Sequence, residues 1–338
     1  MIGYYAHHQG RGHLHRAECI AAHVRGPVTI LSSLPRPPSW AGGWVSLPRD
    51  TADSPVDPTA RGRLHWVPVH HRGHRERMGA IADWIGREVP ALFVSDVSVE
   101  AATLARLMGI PVVVAAMRGD RRDEAHRLAY DLADALLAPW PQSLPEPHWP
   151  TPWHAKAVHT GGISRYDGRA RPAGGGDRAS RRDVVVMLGA GGADLADGQL
   201  QEAARATPGW SWTVLGGPHA EWTEDPWPVL CRATVVVTHA GQNAVAECAA
   251  ARVPTVVIPQ DRPYGEQHAT ARALRAGGLA TVRDHWPPAH AWAALLAEAA
   301  ARQDRWQHWS PGDGAARAGR MLTDLARRVP GGTACAPR

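Results

Sequence analysis

The chain has few cysteines, and their placement excludes a disulfide framework and a Cys-rich metal site. Four occur in 338 residues without a Cys-x-x-Cys pair: Cys19, Cys231, Cys248 and Cys335. This usage is typical of reduced thiols, so we expect a cytoplasmic protein. The N-terminus lacks a basic stretch followed by an apolar one, and no apolar run reaches the length of a spanning helix. We therefore expect neither a secretory signal nor a membrane span.

Motifs for metals, ATP and dinucleotides are also missing. No Asp-x-Asp pair occurs, and the histidine run at 70–74 lacks both a His-Glu-x-x-His pattern and a supporting acid, so we expect no bound metal ion. A dinucleotide-binding loop that uses Gly10 and Gly12 would need glycine where His15 stands. No Gly-Lys-Ser/Thr ending of a P-loop follows. These absences disfavour NAD-type and ATP-type sites.

Lysine is nearly absent as well. It occurs once, as Lys156, and arginine supplies almost all the cations behind the net charge of +5. A basic balance favours anionic ligands such as nucleotides, or an anionic membrane surface. It is too modest to predict nucleic-acid binding, and no aromatic-basic recognition motif accompanies it. The Trp- and Arg-rich composition is compatible with a peripheral position at the inner face of a membrane.

Apolar β-type runs alternate with helical patterns along the chain, which predicts an α/β fold. The alternation stops in a Pro-, Gly- and Arg-rich linker and then restarts. We predict an N-terminal Rossmann-like domain at 1–165, a C-terminal one at 183–314, and a helix and tail at 315–338 that pack back on the first domain. Among the predicted elements are a strand at 64–67 and a helix at 269–276. The oligomeric state is left open.

The most informative stretch runs from Val235 to Pro259. It predicts a strand, a small-residue turn, a helix beginning near Gln242, and a second strand. In a parallel sheet, such a turn lies at a strand carboxyl end and a helix amino end, where phosphate groups bind. His239, Asn243 and Glu247 are spaced i, i+4, i+8. This spacing places the last two on one helix face, with His239 just ahead of it.

The same stretch resembles the donor-binding signature of GT-B glycosyltransferases, of both the family 1 nucleotide-sugar type and the MurG-like family 28 type that forms lipid II. The resemblance covers roughly residues 184–282 and rests on His239, Ala240, Gly241, Gln242, Asn243, Glu247, Glu266 and Gln267. It implies that Glu247 holds the ribose hydroxyls, while His239 and the N–H groups around Gly241 face the diphosphate. Glu266 and Gln267 would contact the donor sugar. The implied fold is GT-B, with two Rossmann-like parallel-sheet domains facing a central cleft.

Two further glycine-rich turns follow strands in the second half. Gly189, Gly191 and Gly192 resemble the loop that closes over the donor phosphates in these enzymes, and Gly217 marks the wall of the nucleotide base pocket.

One position bears on stereochemistry. In retaining enzymes of this fold, the motif that this stretch resembles has a glutamate eight residues ahead of the ribose-binding glutamate. This chain has His239 at that position. The resemblance therefore favours inversion of the anomeric centre.

The first half begins with a second motif, Gly-x-Gly-His at Gly10 to His13, which resembles the first βα loop of GT-B enzymes. Gly12 lets the backbone approach a donor closely. His13 would project into the cleft as the base that deprotonates the acceptor hydroxyl, because imidazole titrates near neutrality. A helix cap or a phosphate contact is the alternative role for His13. Asp96, at the end of a predicted strand, would orient His13 or contact the acceptor, with a helix cap as its alternative.

Together these patterns predict an inverting, metal-independent glycosyltransferase without a cofactor. Its substrates would be a nucleotide-diphosphate sugar, with UDP as the expected nucleotide, and an acceptor hydroxyl. One alternative is a UDP-sugar hydrolase, since Gly-x-Gly-His-x-x-Arg at Gly10 to Arg16 also resembles the hydrolases of pseudaminic acid synthesis. A non-catalytic nucleotide-sugar-binding protein is the other. The sequence does not identify the acceptor.

Overall fold

A computed structural model of the chain describes residues 1–172, 181–188, 198–216, 223 and 225–328. Within these ranges the chain folds into two parallel β-sheets flanked by helices. None of the helices in these ranges has the length and apolar character needed to cross a membrane.

The first half forms a parallel sheet whose strand order reverses at its centre. Its elements are β1 (Ile2–Ala6), α1 (Gly12–Ala21), β2 (Val28–Ser32), β3 (Gly43–Ser46), α2 (Arg72–Glu88), β4 (Leu92–Asp96), α3 (Val99–Leu107), β5 (Val112–Ala115), α4 (Glu124–Leu132), β6 (Ala135–Ala138), α5 (Thr151–Lys156) and β7 (Ala157–His159). The described strands lie in the order β3-β2-β1-β4-β5-β6-β7. The order reverses between β1 and β4, and a crevice forms outside their carboxyl ends.

The second half repeats this plan with fewer strands. Its elements are β8 (Asp183–Met187), α6 (Gln199–Arg205), β9 (Ser211–Leu215), α7 (Trp227–Arg232), β10 (Val235–Thr238), α8 (Gln242–Ala251), β11 (Thr255–Val257), α9 (Glu266–Ala276), β12 (Thr281–Val282), α10 (Trp292–Ala300) and α11 (Gly314–Arg328). Its strands in the described ranges lie in the order β12-β11-β10-β8-β9. The two sheets confirm the predicted α/β fold with two Rossmann-like halves.

Burial and register explain how the sheets position the cleft. Strands β1 and β10 are buried along their whole lengths and consist largely of apolar residues, as expected for strands covered by helices on both faces. Ala6 at the end of β1 pairs with Asp96 at the end of β4. The loop that follows β1 therefore begins beside Asp96.

The C-terminal helix α11 returns to the first half. Its residues Ala315, Ala318 and Leu322 belong to the same buried cluster as Leu14 and Ile20 of α1. The amphipathic pattern of α11 thus buries its apolar face against the first sheet rather than the second.

Some predicted secondary structure is wrong. Residues 64–67 form an irregular, bent segment instead of a strand, because the N–H groups of His65 and Trp66 donate to the Glu100 carboxylate and not to a neighbouring strand. The helix predicted at 269–276 already begins at Glu266.

The proline-rich region before the linker is more regular than expected. It contains the short helix α5 and the edge strand β7. Pro152 lies in the first turn of α5, where proline is tolerated because the N–H it lacks has no partner within the helix.

Asp167, in the segment that joins the halves, predicts a pH dependence of stability. Its carboxylate accepts a hydrogen bond from the Ser164 N–H at 3.2 Å, and burial raises its pKa to about 6. Since this pKa lies above that of an unfolded aspartate, the free energy of unfolding should fall, by about 2 kcal/mol from this group, as pH rises from 4 to above 6. Asp167→Asn should remove this contribution. Urea unfolding at several pH values measures it, and a wild-type-to-variant difference that does not change with pH would contradict it.

Candidate active site

The loop after β1 carries His13 to the crevice of the first sheet. Gly10 has φ +74°, a conformation that favours glycine, and the chain turns there from strand to helix. His13 lies in the first turn of α1, and its Nδ1 is 2.9 Å from Oδ1 of Asp96. The structure therefore brings together the two residues that the sequence singled out as catalytic.

Asp96 is fully buried and is held as a carboxylate. Arg16 donates to both of its oxygens, from Nε to Oδ2 at 2.9 Å and from Nη2 to Oδ1 at 2.5 Å, and the Tyr4 hydroxyl donates to Oδ2 at 3.1 Å. Burial acts to raise the pKa of Asp96, but the charges of Arg16 and His13 outweigh it and hold this pKa well below its usual range. An ionised Asp96 can only accept hydrogen bonds.

The state of Asp96 fixes the orientation of His13. Arg16 Nη2 also lies 3.2 Å from Nδ1 of His13, but it donates to Asp96 Oδ1 at 2.5 Å, and Asp96 is the nearer partner of Nδ1. Nδ1 therefore carries the proton that Asp96 accepts, and Nε2 is the ring nitrogen left to take a proton from a substrate. His13 lines the large cavity between the halves. A base at this place can therefore reach a ligand in the cavity. Asp96 contacts His13, and the N-cap of the following helix α3 is Ser98 instead.

In the second half, the predicted phosphate-facing turn lies at the start of α8. Gly241 is its N-cap and supplies no side-chain cap, and a Cβ on Gly241 would meet only open space. The N–H groups of the first turn can therefore face an anion. His239 is buried, with Nδ1 2.9 Å from the Ile258 carbonyl, to which it donates. A contact from its Nε2–H to phosphate would thus require the doubly protonated ring.

Helix α8 makes direct contacts with the first half. Arg16 Nη1 donates to Gln242 Oε1, and a Cβ on Gly12 would overlap the Asn243 carboxamide. A larger residue at position 12 would therefore have to displace the Asn243 side chain. The guanidinium that balances Asp96 also reaches the predicted donor helix, so the two candidate sites are physically joined.

Glu247, the predicted ribose contact, is engaged in an ion pair. Arg165 donates from Nε to Glu247 Oε1 at 2.9 Å, and the Glu247 side chain is largely buried. Burial raises the pKa of Glu247, while Arg165 acts to lower it. Ribose hydroxyls must therefore share this carboxylate with Arg165 or displace the guanidinium.

A cavity of about 700 Å³ separates the halves on the side of His13. Both halves line it, with His13, His65, Trp66 and Arg77 from the first and Tyr264 and Glu266 from the second. Its volume suits a drug-sized ligand.

The remaining predicted donor residues differ in position. Glu266 lines the cavity and accepts from Arg121 Nη2 at 3.4 Å. Gln267 is buried, and its Oε1 accepts from the Gln260 N–H at 2.9 Å, so this oxygen holds the preceding loop. Ala240 is buried ahead of α8. Four predicted donor glycines lie outside the described residues: Gly189, Gly191, Gly192 and Gly217.

Sequence reasoning missed the role of Arg16. A signal was available, because Arg16 lies three residues after His13 and so on the same face of α1. Arg165 and Arg121 had no comparable signal, since they meet Glu247 and Glu266 only after the halves come together.

Comparison with protein families gives one match. Residues 222–285 match the glycosyltransferase family 28 C-terminal domain. This segment contains β10, α8, β11, α9 and β12, hence the predicted donor motif. Comparison with curated proteins finds no match.

Solved structures resemble the chain over nearly its whole length. The calicheamicin glycosyltransferase CalG4 is 18% identical, covers 97% of this chain and 98% of its own, and has a TM-score of 0.64. MurG from Acinetobacter baumannii is 14% identical, with coverages of 96% and 98% and a TM-score of 0.60. The spinosyn rhamnosyltransferase SpnG with thymidine diphosphate is 16% identical, with coverages of 97% and 96% and a TM-score of 0.51.

These findings confirm the resemblance inferred from the donor motif. The two parallel sheets agree with the fold of the solved glycosyltransferases, and the matched segment contains the donor motif. The chain has the GT-B fold, and the match of residues 222–285 to the family 28 C-terminal domain, together with this fold, supports a glycosyltransferase.

Proposed function

We propose that the protein is an inverting, metal-independent glycosyltransferase that moves a sugar from a nucleoside diphosphate to an acceptor hydroxyl. The observation that carries this proposal is the His13–Asp96 pair, in which His13 lines the same cavity as Glu266 and buried Asp96 is joined through Arg16 to α8. In this proposal His13 is the base at an acceptor cavity, and the start of α8, which Arg16 contacts, binds the anionic part of the donor.

The first step of the proposed reaction takes place at His13. An acceptor hydroxyl in the cavity donates its proton to Nε2, while Asp96 holds the ring through Nδ1 and stabilises the imidazolium that forms. The hydroxyl oxygen attacks the anomeric carbon from the face opposite the diphosphate, and the bond to the diphosphate oxygen breaks. The product carries the inverted configuration.

The second half would stabilise the leaving group. Negative charge grows on the diphosphate as its bond to the sugar breaks, and the uncapped N–H groups at the start of α8 lie where such charge is favoured. No metal ion is required in this scheme, because the helix terminus supplies the compensating positive potential.

The proposed donor is a UDP-sugar. A thymidine diphosphate sugar is the alternative donor, and both are to be tested. One solved neighbour, SpnG, is a complex with thymidine diphosphate and another is a complex with spinosyn aglycone. A drug-sized acceptor fits the cavity volume of about 700 Å³. A cytoplasmic location, with or without peripheral contact to the membrane, stays a prediction.

A hydrolase is the second candidate, because Gly-x-Gly-His-x-x-Arg is intact and Arg16 is built into the site. Nucleotide release without an acceptor separates the two functions. A transferase should release nucleotide slowly until an acceptor is added, whereas a hydrolase reaches its full rate with water alone.

Glu247→Gln should weaken binding of the nucleoside diphosphate, since a charged hydrogen-bond acceptor for ribose is lost. We expect the dissociation constant to rise on the order of ten-fold or more, measured by calorimetry. Arg165→Gln is the matched control, because it removes the ion pair and leaves the carboxylate available to ribose. Equal affinities of Glu247→Gln and the wild type would exclude the ribose role.

A further inference from the structure

A second histidine–aspartate pair lies beside the large cavity, which its histidine lines, and neither residue has been assigned a role so far. His65 Nε2 lies 3.2 Å from Asp123 Oδ1, and His65 is partly exposed on the cavity wall. Asp123 caps α4 by accepting from the His126 N–H at 3.1 Å. The pair is thus held by the start of a regular helix.

The hydrogen bonds behind this pair fix where each proton lies. Arg121 Nη1 is 3.2 Å from His126 Nε2, and since a guanidinium only donates, Nε2 accepts. The proton of His126 is then on Nδ1, which donates to Asp123 Oδ2 at 2.5 Å. Burial and the charge of Arg121 lower the pKa of His126 to about 4, so the ring stays neutral at pH 7.

Asp123 therefore accepts a hydrogen bond from His65 as well. In the neutral ring, His65 uses Nε2–H for this bond, and its Nδ1 is left as a hydrogen-bond acceptor. Within the described part of the chain, no residue donates to this Nδ1. A donor group of a ligand in the cavity would satisfy it.

The same three side chains could be taken for a metal site. His65, Asp123 and His126 offer ligand atoms that all lie within 4.8 Å of one another. A metal on Nδ1 of His126 would move the proton to Nε2, where it would face the N–H of Arg121. The guanidinium charge would also repel the cation. The cluster therefore fits a chain of hydrogen bonds better than a metal.

Aromatic residues lie near His65. The Tyr264 ring is 5.6 Å from that of His65 and Tyr264 is 40% exposed. Trp66, the next residue in the chain, lines the same cavity, and its Nε1 donates to the Asp50 carbonyl at 2.7 Å. Flat, apolar faces beside one hydrogen-bond acceptor suit a planar ring that carries a hydroxyl.

We propose that His65 Nδ1 binds a second hydroxyl of the acceptor, which is an aromatic molecule with at least two hydroxyl groups. This inference rests on the proposed function, in which His13 takes the proton of the reacting hydroxyl. His65 is a specificity-determining residue, because it selects the acceptor without touching the bond that breaks.

The cluster also touches the donor side. Arg121, which orients His126, stacks on Tyr264 at 4.7 Å and donates to Glu266 at 3.4 Å. An acceptor held by His65 therefore lies next to the residue predicted to contact the donor sugar, which places the two substrates side by side.

Calorimetry with two planar probes tests the proposal on the nucleotide-loaded protein. Resveratrol carries hydroxyls on both rings, and hydroxystilbene carries one. We expect resveratrol to bind the wild type more tightly, and His65→Phe to weaken resveratrol on the order of ten-fold while leaving hydroxystilbene nearly unchanged. His65→Gln, whose amide can donate to Asp123 and accept from a ligand, should restore part of the affinity. The affinity for nucleoside diphosphate should not change in either variant.

Other outcomes would overturn the proposal. The first is that resveratrol does not bind the wild type. The second is that His65→Phe weakens the binding of both probes equally. The third is that ¹⁵N NMR places the proton of His65 on Nδ1 in the wild type. Because these readouts measure binding and tautomer, they remain decisive if no sugar is transferred, a result that would count against the proposed function alone.

Discussion

His13→Ala is expected to lower turnover by about 100- to 10,000-fold and to leave nucleoside diphosphate affinity nearly unchanged. The loss is expected because, in the proposed reaction, Nε2 of His13 is the proton acceptor in the cavity and the donor is held by the other half. Steady-state release of nucleotide in the presence of acceptor measures the first quantity, and calorimetry the second.

The matched control for this variant is His23→Ala. His23 follows the same helix but is exposed and makes no contact with Asp96. It should turn over like the wild type. If His13→Ala also retained wild-type turnover with intact donor binding, His13 would be a cap or phosphate contact and not the base.

Asp96→Asn should reduce both turnover and stability. It leaves Arg16 as a buried cation without its counter-ion, which typically costs about 3–5 kcal/mol of unfolding free energy. It also lets the His13 ring adopt the tautomer with the proton on Nε2, so turnover should fall on the order of 100-fold or more. Urea unfolding and steady-state kinetics give the two numbers.

A double variant separates these effects. Arg16→Met combined with Asp96→Asn removes both charges and should recover part of the stability but not the turnover. Recovery of turnover along with stability would show that Asp96 matters only for folding. Stability of Asp96→Asn equal to that of the wild type would contradict the buried ion pair.

The βαβ units could be predicted from the sequence because each gives a pattern within one short segment of the chain. The stretch from Val235 to Pro259 contains the buried strand β10, the turn at Gly241 and helix α8 in the places expected. His13 and Asp96 could be paired in advance because each follows a strand of one parallel sheet. In such a sheet, carboxyl ends lie along one edge.

Other long-range polar contacts could not be predicted from the sequence. The N–H groups of residues 65 and 66 donate to the Glu100 carboxylate, and Glu247 forms an ion pair with Arg165, which is distant in the chain. The hydrophobic periodicity of a segment does not predict such pairings, because they form only when separate elements pack against each other. The error at 64–67 arose in this way.

The central claim is that one cleft joins a nucleoside diphosphate sugar to an acceptor hydroxyl with inversion. Its most direct test incubates the protein with UDP- and thymidine diphosphate sugars and a panel of hydroxylated aromatic acceptors, and measures nucleotide, free sugar and glycoside by mass spectrometry and NMR. We predict one glycoside per nucleotide released, with the anomeric configuration opposite to that of the donor. Free sugar equal to nucleotide whether or not acceptor is present, or a glycoside that retains the donor configuration, would contradict the account.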